Sequence, residues 1–238
     1  MQTILVTGAN RGIGLALTRR LLELGQRVFA GVRDPSQANA LRDLPSDQST
    51  RLTVVSLDVT SDESVRNAAH EVERGTPRLD VLVNMAGVSP APHDARLDTV
   101  DLRTFSRTFE TNVAGPLRTA QAFAPLLRAA ARPERPARLV NVSSGVASMH
   151  GKDNGIFYAY GVSKTALNML SLTESFDLKD SHICVIALDP GWVRTDLGGP
   201  NAHLAPEESA NPCAELILNL TMASTGKFLH YSGSEIAF

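Results

Sequence analysis

A doubly wound α/β fold is predicted here: one parallel sheet of seven strands with helices on both faces. Three features of the sequence predict it. Short apolar runs alternate with stretches of helical periodicity along the whole chain. Most of these runs are continuously apolar, as in Val81-Leu82-Val83 and Cys184-Val185-Ile186, which suits parallel strands covered on both faces. A glycine-rich turn, Gly8-Ala9-Asn10-Arg11-Gly12-Ile13-Gly14, joins the first apolar run directly to the first helical stretch.

Taken in order, the strand candidates are Thr3–Thr7, Arg27–Val32, Leu52–Leu57, Leu79–Asn84, Arg138–Ser143, Ile183–Asp189 and Lys227–His230. Between them lie the helical stretches Gly12–Gly25, Ser61–Arg74, Asp101–Ala131, Ala159–Leu178 and Pro206–Leu220. In the first of these, Ile13, Leu17, Leu21 and Leu24 recur on one helix face, and Gly25 ends the helix. Repeated β-α-β units require right-handed crossovers. The Arg132-Pro133-Glu134-Arg135-Pro136 stretch reads as a loop. A chain of 238 residues without repeats or a low-complexity tail is expected to be one domain, 1–238.

Composition excludes several classes. A net charge of −2 supplies no basic field for nucleic acid or anionic lipid. No apolar run approaches the ~20 residues that span a bilayer, and the N-terminus runs straight into a strand without a charged leader. Cys184 and Cys213 lie far apart, and Cys184 in an apolar run reads as a buried small hydrophobe. His70, His93, His150, His182, His203 and His230 show no metal-like pairing, so no metal is expected. A cytoplasmic location fits best.

Glycines in the first turn let backbone N–H groups approach a pyrophosphate, whose charge the helix N-terminus favours. The spacing is Gly-x-x-x-Gly-x-Gly rather than the commoner Gly-x-Gly-x-x-Gly. The end of the second strand selects the dinucleotide. NAD sites place a carboxylate there for the ribose 2′-hydroxyl, whereas arginine suits the 2′-phosphate of NADP. Val32 and Arg33 fill the position and Arg11 adds a second positive charge, so NADP(H) is expected over NAD(H). Asp34, followed by Pro35, reads as a turn residue or helix cap.

The sharpest chemistry is Tyr160-Gly161-Val162-Ser163-Lys164 on a predicted helix. The i,i+4 spacing puts phenol and ammonium on one face. A free phenol has a pKa of ~10, too high for a proton shuttle, and a neighbouring cation favours the phenolate.

With Thr7–Gly14, Asp58-Val59, Asn84-Met85-Ala86-Gly87, Asn112-Val113-Ala114-Gly115, Asn141-Val142-Ser143-Ser144, Tyr160–Lys164 and Pro190–Thr195 in this order, the chain resembles the short-chain dehydrogenase/reductase family over nearly its full length. The Pro190–Gly199 run and the ending Gly-Ser-Glu-Ile-Ala-Phe further resemble its C-factor/sniffer-like carbonyl reductase branch. The resemblance implies a Rossmann fold and an oxidoreductase that moves hydride between NADP(H) and a small-molecule carbonyl/alcohol pair. By that resemblance Ser144 donates to the substrate carbonyl oxygen and Tyr160 delivers its proton. Lys164 binds the nicotinamide ribose hydroxyls and lowers the Tyr160 pKa, and Asn112 holds a water that links Lys164 to solvent. Ser143 competes with Ser144, and Tyr158 with Tyr160, although only Tyr160 has a lysine four residues on.

The cofactor site implied in the same way comprises Gly8, Asn10, Arg11, Gly12, Ile13, Gly14, Arg33, Tyr160 and Lys164. Asp58 and Val59 take the adenine, and Asn84, Ala86 and Gly87 border its ribose. Pro190, Gly191, Val193 and Thr195 shape the nicotinamide pocket. Met85 replaces an asparagine that ties strands in the family, and Ala147 stands where glycine often follows the serine. Met85 cannot make those hydrogen bonds, which puts local stability or cofactor affinity in question.

Phe157, Tyr158, Met149 and Trp192 either form an apolar substrate wall or pack the loops. The short segment between Thr195 and Pro206 implies an open, tolerant pocket. The resemblance also implies a homodimer or homotetramer that pairs the Asp101–Ala131 and Ala159–Leu178 helices, with Leu167 and Leu170 as apolar contacts. A separation of sixteen positions from Ser144 to Tyr160 leaves no room for the extra helix of monomeric relatives. The alternative from another class is an NADP(H)-binding regulatory protein of the C-factor type with little turnover.

Overall fold

The computed structural model describes residues 1–90 and 96–238, and His93 lies outside the described residues. Its seven parallel strands are β1 (Thr3–Thr7), β2 (Arg27–Val32), β3 (Leu52–Ser56), β4 (Val81–Asn84), β5 (Ala137–Val142), β6 (Ile183–Asp189) and β7 (Phe228–His230). They pair in the order β3-β2-β1-β4-β5-β6-β7. The helices are α1 (Gly12–Glu23), α2 (Asp62–Gly75), α3 (Leu102–Phe109), α4 (Gly115–Ala130), α5 (Tyr158–Asp177) and α6 (Pro206–Asn219). Single-turn helices at Asn39–Arg42 and Ser46–Ser49 fill the β2–β3 connection.

Alternate residues of each strand feed two cores, which explains why the strands read as unbroken apolar runs. Ile4, Val6, Val81 and Val83 face Leu17 and Leu21 of α1 and Cys213 and Ile217 of α6. Leu5, Leu82, Leu139 and Val185 face Val65 and Val72 of α2 and Phe123 and Leu127 of α4. Each fully buried Leu or Val contributes roughly 1.5–3 kcal/mol relative to exposure. Cys184 is fully buried in the first core, as a small hydrophobe should be.

One helix departs from expectation. The single Asp101–Ala131 stretch is interrupted by a π turn at Glu110–Ala114. Pro116, next to the start of α4, has no N–H to offer the carbonyl four residues back, which belongs to Asn112. The α-helical ladder therefore shifts register there, with the Gly115 N–H reaching Glu110.

Sheet order reverses between β1 and β4, and open α/β sheets bind ligands at such a switch point, beyond the carboxyl ends of the strands. The glycine turn after β1 and the Met85–Gly87 segment after β4 meet there.

Candidate active site

The glycine turn is built to be tight. Gly8 and Gly12 have φ of +66° and +53°, and a Cβ on Gly14 would fall inside the Gly8 carbonyl oxygen. A Cβ on Gly8 would stand 3.0 Å from the Ala86 Cα, so the turn lies directly against the β4 loop. Thr7 Oγ1 secures that loop by accepting from the N–H groups of Met85 and Ala86, both at 3.0 Å. Met85 itself packs on the first core. The cross-strand ties are carried instead by Asn84, which donates to Asn141 Oδ1 at 2.8 Å and accepts from Thr119 Oγ1 at 2.7 Å.

That places the Asn84 side chain inside the protein, not beside a ribose. Asn84 is 2% exposed, so only its position at the strand end bears on a nucleotide.

Arg11 is the residue before α1 and provides no side-chain cap, leaving the first N–H groups of the helix facing the turn. Asn10 and Ile13 are half-buried beside it. The Arg11 guanidinium pairs with Asp196 at 2.6 Å, both side chains exposed. Arg33 lies at the end of β2, and its charge helps lower both Asp34 and Asp58. Asp34 accepts from the Ser36 N–H at 2.9 Å and its hydroxyl at 2.6 Å, capping the next turn. Those bonds hold its carboxyl below the usual range, so Asp34 is the turn residue its neighbour Pro35 suggests.

Burial raises the Asp58 carboxyl, yet bonds from the Thr60 hydroxyl and N–H, with Arg33 and Arg118, bring it below the ordinary value. The Val59 side chain is buried, and its carbonyl accepts from Arg118 at 2.6 Å. Arg118 also bridges Asp62 and Glu110. It thus braces the β3 loop from α4, a role its place in a long helix did not reveal.

Beyond β5, Ser144 caps a short 3-10 turn at Gly145–Ala147. The Ser144 hydroxyl faces the Tyr160 phenol on the first turn of α5 and favours its ionised form. Ser143 turns inward, 2% exposed, and donates to the Lys164 carbonyl at 3.3 Å. Ser144 and Tyr160, not Ser143, therefore form the pair. The Lys164 ammonium donates to the Val142 carbonyl at 2.8 Å and lies 5.7 Å from the Tyr160 ring centroid. A Cβ on Gly87 would stand 3.5 Å from that ammonium and 3.4 Å from Asn112 Oδ1, so Gly87 borders this end of the cleft.

One expectation needs correction. The Tyr160 phenol is not lowered overall in this structure. Burial pushes the phenol up to about 12, against the Ser144 hydroxyl and with help from Asp189. Burial also pulls Lys164 down to about 8. The Asn112 side chain is tied within the protein. It accepts from the Val88 N–H at 2.9 Å and donates to the Val88 carbonyl at 2.8 Å and Ser163 Oγ at 3.0 Å. Its backbone carbonyl, deprived of an i+4 donor by Pro116, is the group free of the α-helical ladder.

After β6, Asp189 accepts from the Gly191 N–H at 3.0 Å. Gly191 has φ of +80°, and any Cβ there would crowd Tyr231 and Leu204. Pro190 accepts from Ser209 Oγ at 2.6 Å, anchoring the loop to α6. Val193 is buried and pairs with Leu204. Thr195 faces the glycine turn, its Cγ2 3.1 Å from where a Gly12 Cβ would be.

The aromatic set divides. Trp192 braces its own loop, donating to the Gly198 carbonyl at 2.8 Å and standing edge-on to His203. Phe157 instead meets the Tyr160 ring at 6.4 Å. Leu167 is 1% exposed within its own chain, so it cannot contact a second subunit. Leu170 is half-buried and lines a surface cleft of about 450 Å³ with Phe105, Phe109, Val113 and Leu117.

A short-chain dehydrogenase family model matches residues 2–203. The chain belongs to that family. It is similar to the carbonyl reductase Sniffer of D. melanogaster, at 34% identity and a TM-score of 0.94, covering 100% of both chains. NADPH-bound carbonyl reductase from chicken fatty liver is similar at 34% identity and a TM-score of 0.91, over 100% of this chain and 99% of that one. C-signal of Myxococcus xanthus is 38% identical over 68% of this chain and 93% of its own length. The enzyme is an oxidoreductase of carbonyl-reductase type. Among its described residues no helix is long and apolar enough to cross a membrane, and no group of three or more His, Cys, Asp or Glu could hold a metal ion.

Proposed function

We propose that the whole chain works as one nucleotide-binding domain that reduces small aldehydes or ketones with NADPH, or runs the reverse oxidation. The observation that carries this reading is the juxtaposition of Ser144, Tyr160 and the buried Lys164, at the carboxyl end of the sheet where the glycine turn also opens.

The residues present fit a dinucleotide. Gly8, Gly12 and Gly14 hold a turn too tight for any Cβ, and the uncapped N–H groups of α1 open toward it. Asn10 and Ile13 extend that cradle. Arg11 and Arg33 would take the 2′-phosphate, which argues for NADPH over NADH. Asp58 and Val59 would meet the adenine, and Ala86 and Gly87 the sugar side. Pro190, Gly191, Val193 and Thr195 would flank the nicotinamide end. NADPH supplies the hydride when bound.

Ser144 donates to the substrate carbonyl oxygen and holds it against the phenol. Tyr160 gives its proton to that oxygen as negative charge develops there. Lys164 orients the cofactor sugar and supplies positive charge near the phenol. The Asn112 carbonyl holds the water through which the proton lost by Tyr160 is replaced. A cytoplasmic home fits the reducing chemistry and two free thiols. The cleft around Leu170, with exposed Leu117 and Met169, is the surface for a second copy.

The test mixes the protein with NADPH and a panel of aldehydes, ketones and diketones, following absorbance loss. Turnover that disappears in Tyr160→Phe supports the reading. Tight NADPH binding without turnover across the panel would overturn it.

A further inference from the structure

Phe157 sits immediately before the Tyr160 helix with φ 63° and ψ 39°, the left-handed region that disfavours a bulky side chain. Among the described residues only His182 shares that region without being glycine. Such conformations persist where the surrounding structure over-determines them, and they cluster at functional sites. What holds Phe157 is visible. Its carbonyl accepts from the Gly161 N–H at 2.7 Å, closing the first turn of α5. Gly161 has no Cβ, and one there would stand 3.3 Å from the Phe157 Cβ, so the phenyl group folds back over that turn. Its ring then meets the Tyr160 ring edge-on, centroids 6.4 Å apart and planes at 61°.

We propose that Phe157 is a positioning residue for the proposed reduction: its left-handed backbone aims the phenyl ring at Tyr160, fixing the phenol toward Ser144 and keeping water off it. The inference rests on Tyr160 being the proton donor. A right-handed or extended backbone at residue 157 would swing the ring away from the first turn of α5. Three other polar groups face the phenol: the Ser144 hydroxyl from the 3-10 turn, the Asp189 carboxylate from the end of β6, and the Lys164 ammonium from α5, 5.7 Å from the ring centroid. All three come from other residues, which a change at Phe157 leaves in the chain.

Phe157→Gly relaxes the backbone and removes the ring, whereas Phe157→Ala removes the ring and keeps the strain. Both variants are expected to lose about tenfold to a hundredfold in kcat at unchanged NADPH Kd. The Gly variant should melt above the Ala variant. Loss of the apolar cover admits water, so the phenol ionises more easily. The alkaline limb of kcat for carbonyl reduction, which needs the protonated phenol, should therefore move down by about one pH unit. Phe157→Leu, which keeps an apolar cover, should retain most of the wild-type limb.

The second readout is independent of turnover. The chain has only three tyrosines. The near-ultraviolet tyrosinate band can be titrated in the wild type and in the Gly variant, with Tyr160→Phe subtracted to isolate Tyr160. A lower Tyr160 titration in the Gly variant supports the inference even if no substrate is turned over. An unchanged Tyr160 titration together with an unchanged kcat would overturn it and leave Phe157 as loop packing.

Discussion

The Lys164 ammonium stands over the Tyr160 ring at 5.7 Å from its centroid, yet its hydrogen bond goes to the Val142 carbonyl. Burial consequently governs both groups, lifting the phenol to about 12 and lowering the ammonium to about 8. A buried cation is a cost to folding that function retains.

Lys164→Met should expose that cost. The ordinary lysine value is 10.5 and the folded one about 8. Between them the unfolded chain binds the extra proton, so wild-type stability rises with pH across the window. The variant is expected to gain on the order of 1–3 kcal/mol in urea unfolding at neutral pH, shrinking as pH climbs through that window. Its turnover should fall by about a hundredfold or more. A variant less stable than wild type at every pH would mean that the Val142 bond outweighs desolvation.

Cofactor choice should rest on Arg11 and Arg33. Replacing either with alanine is expected to weaken NADPH binding about tenfold and leave NADH unchanged. Asp196 competes for Arg11 across 2.6 Å, so Asp196→Asn should tighten NADPH a few-fold at low salt. Both partners are exposed, and added salt should erase that gain. Fluorescence titrations of both cofactors at two ionic strengths check all three variants. Equal losses for NADPH and NADH would place the arginines on the shared pyrophosphate.

The two adjacent serines should separate by phenotype. Ser144 meets the phenol, whereas Ser143 donates to the Lys164 backbone carbonyl. Ser144→Ala is expected to lose about a hundredfold in kcat with the melting curve unmoved. Ser143→Ala should cost about 1 kcal/mol of stability and keep most activity. The reverse pattern, read from kcat and urea midpoints, would exchange their roles.

The sheet was legible because strands buried on both faces are written as unbroken apolar runs, so their ends shift by only one or two residues. The glycine turn and the Tyr160–Lys164 spacing were legible because they are local. What sequence concealed was long-range. Asn84 reads as a site residue, but its partners Asn141 and Thr119 lie 57 and 35 positions away. Arg118 is one of many helix-surface charges until Asp62 and Glu110 are seen beside it. The left-handed Phe157 carries no local mark, since glycine or asparagine would be expected there. The π turn did have a signal, Pro116 four residues after Asn112, and a continuous apolar periodicity hid it.

The inner polar chain that ties β4 to β5 ends in a carboxyl with its own pH signature. Asn141 Nδ2 donates to Glu174 Oε2 at 2.8 Å, while Glu174 Oε1 is buried without a protein partner. Burial, opposed by the Asn141 bond and aided by Asp177, raises the acid from 4.5 to about 7. From 4.5 upward the unfolded chain gives up its proton while the folded one keeps it, so stability falls until about pH 7. Above that the full penalty of a buried carboxylate applies. Glu174→Gln keeps the acceptor for Asn141 and never ionises. It should match wild type near pH 4.5 and exceed it by on the order of 1–3 kcal/mol above pH 7. Urea midpoints across that range decide it. Parallel profiles for the two proteins would show that Glu174 titrates normally, and the Asn141 bond would then have to hold a buried carboxylate on its own.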